Sequence, residues 1–402
     1  MTRPNVVDLA SRLISHASIT PATGSVFDEM EAMLRPLGFT VTRFLAGDEL
    51  SDREQGGPVE NLFAIRKGAA ASRHLAFAGH LDVVPPGEGW QTDPFVPEVQ
   101  GDLLYGRGAV DMKGSIAAFV SALHDLPEDL GTISLIITGD EEGPARFGTV
   151  ALMDYMAQHA IAPDICVVGE PTSVNRLGDM MKIGRRGSVN MWITVNGTQG
   201  HVAYPHNADN PITKLGKILS AIDGLKLDEG TDWFQPSNIE FTEINAQNPA
   251  HNVIPAKAEA RLSIRFNDQH SGASLSDMIR DIVEHHGGEL HPIISGEPFL
   301  TPPGELSELL VKAISDVTGV EPELSTTGGT SDARFLSKIV PVVEFGLCNA
   351  TMHKLDEAVA TDDLEQLAKI YALVVQRALC EPADTRSLNI QTAQSPSKGE
   401  TS

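Results

Sequence analysis

Three apolar, strand-like runs in this chain each end on side chains that can bind a metal ion. The runs occupy residues 74–79, 133–139 and 165–169. The ligand-type residues that follow them are His80, Asp82, Glu141, Glu142 and Glu170. Short, continuous apolar runs are typical of buried strands in a parallel sheet. Open α/β sheets carry their sites just beyond the carboxyl ends of such strands, so the pattern predicts a metal site there.

Length and charge limit the classes of protein that this chain can belong to. Its 402 residues, 41% of them hydrophobic, can form a large core and are long for one compact unit, which favours two domains. The formal net charge is −24. Because nucleic acids and anionic membranes are polyanions, so acidic a chain is not expected to bind either of them.

The compartment is predicted from cysteine usage and from the N-terminus. Three cysteines, at positions 166, 348 and 380, lack the close spacing of a thiolate zinc site and argue against a disulfide framework. The N-terminal residues lack the apolar core of a signal peptide, and no apolar run approaches the length of a membrane span. We therefore expect a cytoplasmic protein.

The order of helical and strand-like segments predicts an α/β catalytic domain with a mostly parallel central sheet flanked by helices. This domain is discontinuous and comprises residues 1–181 and 294–381. Between its two parts, residues 182–293 contain strands that alternate polar and apolar side chains. They predict an inserted, smaller α+β domain with an antiparallel sheet. The polar tail, residues 382–402, is predicted to be disordered.

Asp111 lies on a glycine-lined turn, residues 106–115, that precedes a predicted helix. A dinucleotide fingerprint would need glycine at position 111, and a P-loop would need Gly-Lys-Ser where the chain has Lys113-Gly114-Ser115. A carboxylate on such a turn can instead bridge two cations. The alternative, in which Asp111 caps the helix, stays open at this point.

The remaining candidates complete a set that suits two ions. Glu141 and Glu142 are adjacent and point in different directions, so one can bind metal while the other acts as a base toward a water molecule. A solvated acidic turn is the alternative. His353 follows the predicted buried strand at 340–345, although a lone histidine is more often structural. Two histidines and three carboxylates, one of them shared, fit two zinc-like ions about 3.5–4 Å apart.

Motifs along nearly the whole chain resemble the M20 family of dinuclear zinc amidohydrolases. The first set of motifs lies at residues 79–85, 106–114, 139–143 and 169–172. A second set resembles the desuccinylase branch of that family and lies at residues 184–188, 200–206, 252–255, 265–267, 328–335 and 349–354. Each motif alone is weak evidence for the family, whereas the whole set is specific for it.

The resemblance implies a role for each matching residue. The implied metal ligands, with Asp111 as the bridge, are His80, Asp111, Glu142, Glu170 and His353. Asp82 would lie behind His80, Glu141 would be the general base, and His201 would reach a neighbouring subunit's site to stabilise the oxyanion. The implied substrate contacts are Arg185, Ser188, Tyr204, Asn252, Arg265, Gly329 and Thr330. Family members are homodimers through the inserted domain, so a homodimer is expected here.

Physical chemistry supports a substrate-binding role for the two arginines in this set. Arg185 and Arg265 stand amid apolar strands of an acidic chain, and arginine binds carboxylates in bidentate fashion. Pairing with local acids is the alternative for each of them.

The resemblance implies that the chain removes succinate from N-succinyl-L,L-2,6-diaminopimelate. The implied cofactors are two divalent metal ions, most simply zinc, although cobalt and manganese also suit these ligands. An acetylornithine-deacetylating or other amidohydrolase of the same family is the close alternative. A catalytically inactive metal-binding dimer is the alternative from another class.

Overall fold

The computed structural model describes residues 4–47, 58–68, 73–127 and 130–380. The predicted disordered tail, 382–402, lies outside the described residues. The helices of the described chain are Val6–Ile14 (α1), Ser25–Leu34 (α2), Lys113–Leu123 (α3), Thr149–Gln158 (α4), Pro211–Asp223 (α5), Gly272–His285 (α6), Glu305–Thr318 (α7), Ala333–Leu336 (α8) and Thr361–Cys380 (α9).

The strands of the described chain follow in the same order. They are Thr40–Ala46 (β1), Val59–Arg66 (β2), His74–His80 (β3), Glu98–Gln100 (β4), Leu103–Tyr105 (β5), Thr132–Thr138 (β6), Ile165–Val168 (β7), Met180–Lys182 (β8), Gly184–Arg185 (β9), Gly187–Asn196 (β10), Gly200–His201 (β11), Asn238–Asn245 (β12), Val253–Ile254 (β13), Lys257–Phe266 (β14), Glu289–Gly296 (β15), Phe299–Leu300 (β16), Glu323–Ser325 (β17), Val342–Glu344 (β18) and Ala358–Ala360 (β19).

Eight strands form the central sheet, in the order β1-β2-β6-β3-β7-β18-β8-β17. The four middle strands β6, β3, β7 and β18 are parallel to one another, and β8 is parallel to β17. The pairs β1/β2, β2/β6 and β18/β8 are antiparallel. The predicted mixed α/β class with a mostly parallel sheet is therefore confirmed.

The strand β3 is buried on both faces, as its apolar run predicts. Leu75 and Phe77 belong to a core beneath α1, α3 and α9, whereas Ala76 and Ala78 belong to a core on the opposite face, beneath α4 and α8. Phe77 stacks on Phe119 of α3 with ring centroids 4.1 Å apart. This period-two alternation between two cores explains why the run contains no polar residue after His74.

The inserted region forms a four-stranded antiparallel sheet in the order β12-β14-β10-β15. One face of this sheet packs against α5 and α6, and it has a hydrophobic core of its own. Alternate residues of β14 are buried, which matches the alternating sequence pattern. Its strands span Gly187 to Gly296, whereas the predicted boundaries at 182 and 293 stay a prediction.

Two further observations complete the fold. Cys166 is buried and Cys348 is half-buried, and both are free thiols. No helix of the described residues is both long and apolar enough to cross a membrane.

Candidate metal centre

The carboxyl ends of β3, β6 and β7 meet at one edge of the central sheet. His80 is the last residue of β3 and pairs with Thr138 at the end of β6, while Ala78 pairs with Val168 at the end of β7. The residues that directly follow these three strands therefore lie close together at this edge of the sheet. This placement follows from the parallel register and brings together side chains that are up to 90 residues apart in the sequence.

The imidazole of His80 is buried, and each of its nitrogens has a partner. Its Nδ1 donates to the backbone oxygen of Asp82 at 2.9 Å, and lies 3.6 Å from the Asp82 carboxylate. Its Nε2 lies 3.1 Å from Asp111 and 4.0 Å from Glu170. Because the backbone oxygen can only accept, Nδ1 carries a proton, and Nε2 points into the acidic cluster (Asp111, Glu141, Glu142 and Glu170). Burial lowers the pKa of His80, but the hydrogen bond with Asp111 and the neighbouring acids outweigh burial and raise it well above its usual value, so in the metal-free protein Nε2 also donates to Asp111.

Asp111 lies between two histidines. Its Oδ1 is 3.1 Å from Nε2 of His80, and its Oδ2 is 3.1 Å from Nε2 of His353. Burial raises the pKa of Asp111, but hydrogen bonds from both histidines outweigh burial and lower it below its usual range. A carboxylate whose two oxygens face different imidazoles has the geometry required to bridge two cations. The alternative of helix capping is not observed, since α3 has no side-chain cap.

The adjacent Glu141 and Glu142 enter different parts of the cluster. Glu142 lies 2.9 Å from His353 and shares a potential ligand group with His80 and Asp111. Glu141 forms a second group with His80 and Glu170. Glu141 therefore lies within ligand distance itself, and its role as a base rather than a ligand stays a prediction.

The cluster concentrates negative charge in a buried space. Burial and the charge of Asp111 raise the pKa of Glu170 to about 8. Burial and the charge of Glu170 raise the pKa of Glu141 well above its usual value. Hydrogen bonds to Asp111 and Glu142 raise the pKa of His353 to about 10. Imidazole and carboxylate ligands crowded in this way fit divalent cations of the zinc type, which would neutralise the carboxylates.

Two buried acids, Asp82 and Glu357, hold the loops that carry the predicted metal ligands. Asp82 was predicted to stand behind His80, but its two oxygens accept the backbone N–H groups of Glu141 and Glu142, at 3.2 and 3.0 Å. Glu357, which was not predicted, accepts the backbone N–H groups of Val110 and Asp111, at 2.8 and 3.1 Å. No local sequence signal marks Glu357, because its partners lie about 250 residues away.

Arg185 lies beside the cluster and is paired with an acid. Its guanidinium contacts the fully buried Glu344 through two nitrogens, and its Nη1 donates to the carbonyl of Gly329 at 2.8 Å. Glu344 also accepts a hydrogen bond from Ser331. The alternative of pairing with a local acid therefore holds for Arg185, while its contact with substrate stays a prediction.

Four of the other predicted substrate residues fall into two groups. Ser188 and Thr330 have buried hydroxyl oxygens without a hydrogen-bond partner. Tyr204 and Asn252 are exposed, and they flank His201 on the small β11/β13 sheet. In the part of the chain that the structure describes, no hydrogen bond or ion pair joins this second group to the metal-ligand cluster.

Comparison with known proteins now identifies the family. The model of peptidase family M20/M25/M40 matches residues 76–377. The chain belongs to this family. The resemblance inferred from the motifs is thus confirmed, and membership makes the chain a metal-dependent amidohydrolase.

Individual relatives support this assignment. The chain is 65% identical, over 93% of its length and 98% of the relative's, to a succinyl-diaminopimelate desuccinylase of Erythrobacter litoralis. Its fold is similar to that of aminopeptidase PepT from Bacillus cereus, with a TM-score of 0.75, 17% identity and coverage of 94% and 99% of the two chains. A dinuclear metal-binding M20 peptidase of Bacillus subtilis matches with a TM-score of 0.68, 15% identity and coverage of 93% and 97%.

The buried acids predict how pH affects the metal-free protein. The pKa of Glu170 is about 8 in the folded chain and ~4.3 in an unfolded one. Its stabilising contribution is therefore complete below about pH 4 and is lost as the pH rises through 8. We expect the melting temperature of chelator-treated protein to fall between about pH 4 and pH 8. The fall should be smaller in Glu170→Gln, as measured by differential scanning fluorimetry.

The exposed Glu321 provides a matched control for this experiment. Glu321→Gln should keep the full fall in melting temperature. An equally steep fall in Glu170→Gln would contradict the explanation.

Proposed function

We propose that this chain hydrolyses N-succinyl-L,L-2,6-diaminopimelate to L,L-2,6-diaminopimelate and succinate, a step of diaminopimelate and lysine biosynthesis. The observation that carries the reaction type is Asp111, whose two oxygens face His80 and His353 at 3.1 Å each. The identity of the substrate rests on the 65% identical relative and on the arginines near the site. A cytoplasmic location stays a prediction from the sequence.

We propose that two divalent cations, most simply zinc, bind at Asp111. One would be held by His80, Asp111 and Glu170, and the other by Asp111, Glu142 and His353. When bound, such cations polarise the amide carbonyl and lower the pKa of a water molecule. The nitrogen and oxygen donors of this set also suit cobalt and manganese.

Glu141 is the proposed general base. Burial and the charge of Glu170 raise its pKa, so its carboxylate has a greater affinity for a proton than an ordinary glutamate. In the proposed mechanism it takes a proton from the attacking water and then gives it to the nitrogen of the departing amine. The backbone of Glu141 is held by Asp82, which supports a fixed position for this proton transfer.

His201 is the proposed donor to the oxyanion that forms on the amide carbonyl. Its Nδ1 accepts the backbone N–H of Ala203 at 3.1 Å, so the neutral ring carries its proton on Nε2 and can donate from there. Since no hydrogen bond or ion pair joins His201 to the cluster in the described part of its own chain, we propose that it acts in the site of a second subunit. The proposed assembly is a homodimer through the inserted domain.

The remaining proposed substrate contacts are the residues that match the family's substrate-binding motifs. They are Arg185, Ser188, Tyr204, Asn252, Arg265, Gly329 and Thr330. Arginines suit a substrate with three carboxylates because each can form charge-assisted, bidentate hydrogen bonds.

Replacing the base should abolish turnover without removing metal. In Glu141→Ala we expect kcat to fall by roughly three orders of magnitude or more, because the water loses its proton acceptor. Metal content, measured by elemental analysis, should match that of the wild type. Near-normal turnover would contradict the base assignment, and loss of metal would show that Glu141 is a ligand.

The substrate is tested by direct competition between the two closest candidates. N-succinyl-L,L-2,6-diaminopimelate should be hydrolysed with a kcat/KM at least about a hundredfold above that of N-acetylornithine, and a chelator should abolish both activities. Faster hydrolysis of acetylornithine would favour the deacetylase alternative. Tight metal binding with no hydrolysis of either compound would favour the inactive metal-binding dimer.

Mixing two inactive variants tests whether the site is shared between subunits. Glu141→Ala and His201→Ala should each be nearly inactive as homodimers. After subunit exchange, each heterodimer contains one complete site, so activity should return to about one quarter of the wild-type value. No recovery, although exchange is verified by mass spectrometry, would contradict the shared site.

A further inference from the structure

Arg107 is a buried cation that has none of the roles proposed above. Its side chain is 2% exposed, and its Nη1 donates to the carboxylate of Glu357 at 2.7 Å. The same nitrogen donates to the backbone carbonyl of Lys354 at 3.1 Å, and Nη2 donates to that of Pro86 at 3.2 Å. The guanidinium carbon also lies 5.1 Å from the ring centroid of Trp90. Because a guanidinium presents its donors in a fixed planar fork, it can bind several chain segments at once.

Two of the chain segments that meet at this arginine carry predicted metal ligands. Lys354 directly follows His353, and Arg107 itself lies on the same glycine-lined turn as Asp111. One oxygen of Glu357 accepts the backbone N–H of Asp111 at 3.1 Å, and the other oxygen pairs with Arg107. The ion pair therefore links the turn of Asp111 to the loop of His353, although Asp111 and Glu357 are 246 residues apart in the sequence.

His353 needs such a link more than the other predicted ligands do. Its side chain is 43% exposed, whereas those of the other four predicted ligands are at most 10% exposed. Its backbone has a φ of 59°, in the left-handed region that residues other than glycine rarely adopt. A residue stays in this region only where surrounding contacts hold it there. The hydrogen bond from Arg107 to the carbonyl of Lys354, the next residue, is a contact of this kind.

The two proposed cation positions differ in how their ligands are held. We call the cation proposed at His80 the inner cation and the one proposed at His353 the outer cation. The inner position is built on buried strands of the central sheet, since His80 ends β3 and Glu170 follows β7. The backbone N–H of the shared ligand, Asp111, is bound by the glutamate oxygen that Arg107 does not contact. Loss of Arg107 alone would therefore free the loop of His353 and leave these other supports in place.

We propose that Arg107, paired with Glu357, is a positioning residue that sets the affinity of the outer cation. This inference rests on the two-cation site of the proposed function. In the described part of the chain, no hydrogen bond or ion pair joins the guanidinium of Arg107 to the side chain of a predicted metal ligand. The arginine acts instead through the carbonyl of Lys354, which fixes the backbone of His353 and so the place of its imidazole. Metal affinity depends on such partners because they orient the ligands before the ion binds.

Titration of the metal-free protein with zinc, followed by calorimetry, measures the two positions separately. The wild type should bind two equivalents of zinc. In Arg107→Gln, the dissociation constant of one equivalent should rise about tenfold or more, while that of the other changes less than about threefold. Arg107→Lys keeps the buried charge but has fewer donors, so it should weaken the same equivalent to a smaller extent. If Arg107→Gln does not fold, Arg107→Lys is the variant that tests the proposal.

A double-mutant cycle identifies which cation is affected. His353→Ala removes a ligand of the outer cation, so the zinc that this variant still binds tightly is the inner cation. Adding Arg107→Gln to His353→Ala should change that remaining affinity by less than about threefold, because the two substitutions act on the same position. A fall of about tenfold in the remaining affinity would show that the arginine supports the whole cluster, and it would overturn the proposal.

Arg43 provides the matched control, since it is also paired with acids but lies away from the cluster. Its partners are Asp28, Glu31 and Glu60, and none of them is a predicted metal ligand. Arg43→Gln should lower the melting temperature and leave both zinc affinities unchanged.

Three results would overturn the proposal. Equal losses of zinc affinity in Arg43→Gln and Arg107→Gln would show a general effect of lowered stability. Two wild-type zinc affinities in both Arg107 variants would overturn the positioning role alone. A wild type that binds only one zinc ion would show that the two-cation site of the proposed function is wrong as well.

Discussion

The position of Asp111 between two buried imidazoles is the constraint on which the rest of the site depends. A carboxylate buried in this way would have a raised pKa, and the two histidines reverse that shift. Every other acid of the cluster then faces a fixed negative charge. Burial and these neighbouring charges favour the protonated forms of Glu141 and Glu170 in the absence of a cation. The same crowding favours any divalent ion that can replace the protons.

Such a cluster has to be held together against its own repulsion, and backbone hydrogen bonds do this. Asp82 binds the backbone N–H groups of Glu141 and Glu142, and Glu357 binds those of the turn that carries Asp111. Both acids are fully buried, and neither belongs to the ligand groups around His80. They fix the loops that follow the strands, so the ligand positions depend on the backbone rather than on side-chain freedom.

The strand ends were predictable from the sequence because burial on two faces leaves a local signal. The apolar run before His80, and those before Glu141 and Glu170, form neighbouring strands as expected. The antiparallel strands β1 and β2, and the short edge strand β17, were not predicted. Most residues of β1 are only half-buried, and β17 has three residues. The strand β2 is buried, but Glu60 and Asn61 interrupt its apolar run. Glu344 and Glu357 were missed for a different reason. Their partners are distant in the chain, and no periodicity marks a long-range contact.

The adjacent residues Arg185 and Arg186 show how burial determines the partner that a charge requires. Arg185 is deeply buried beside the cluster, where an unpaired guanidinium would be very costly, and Glu344 neutralises it within the chain. Arg186 lies at the end of the inserted sheet and is only partly buried, so water can solvate part of its charge. The argument that an arginine in an acidic chain must bind substrate therefore holds more strongly for Arg265, which forms no ion pair among the described residues, than for Arg185. Where the folded chain already supplies an acid, the charge stabilises the site, and where it supplies none, the charge is available for recognition.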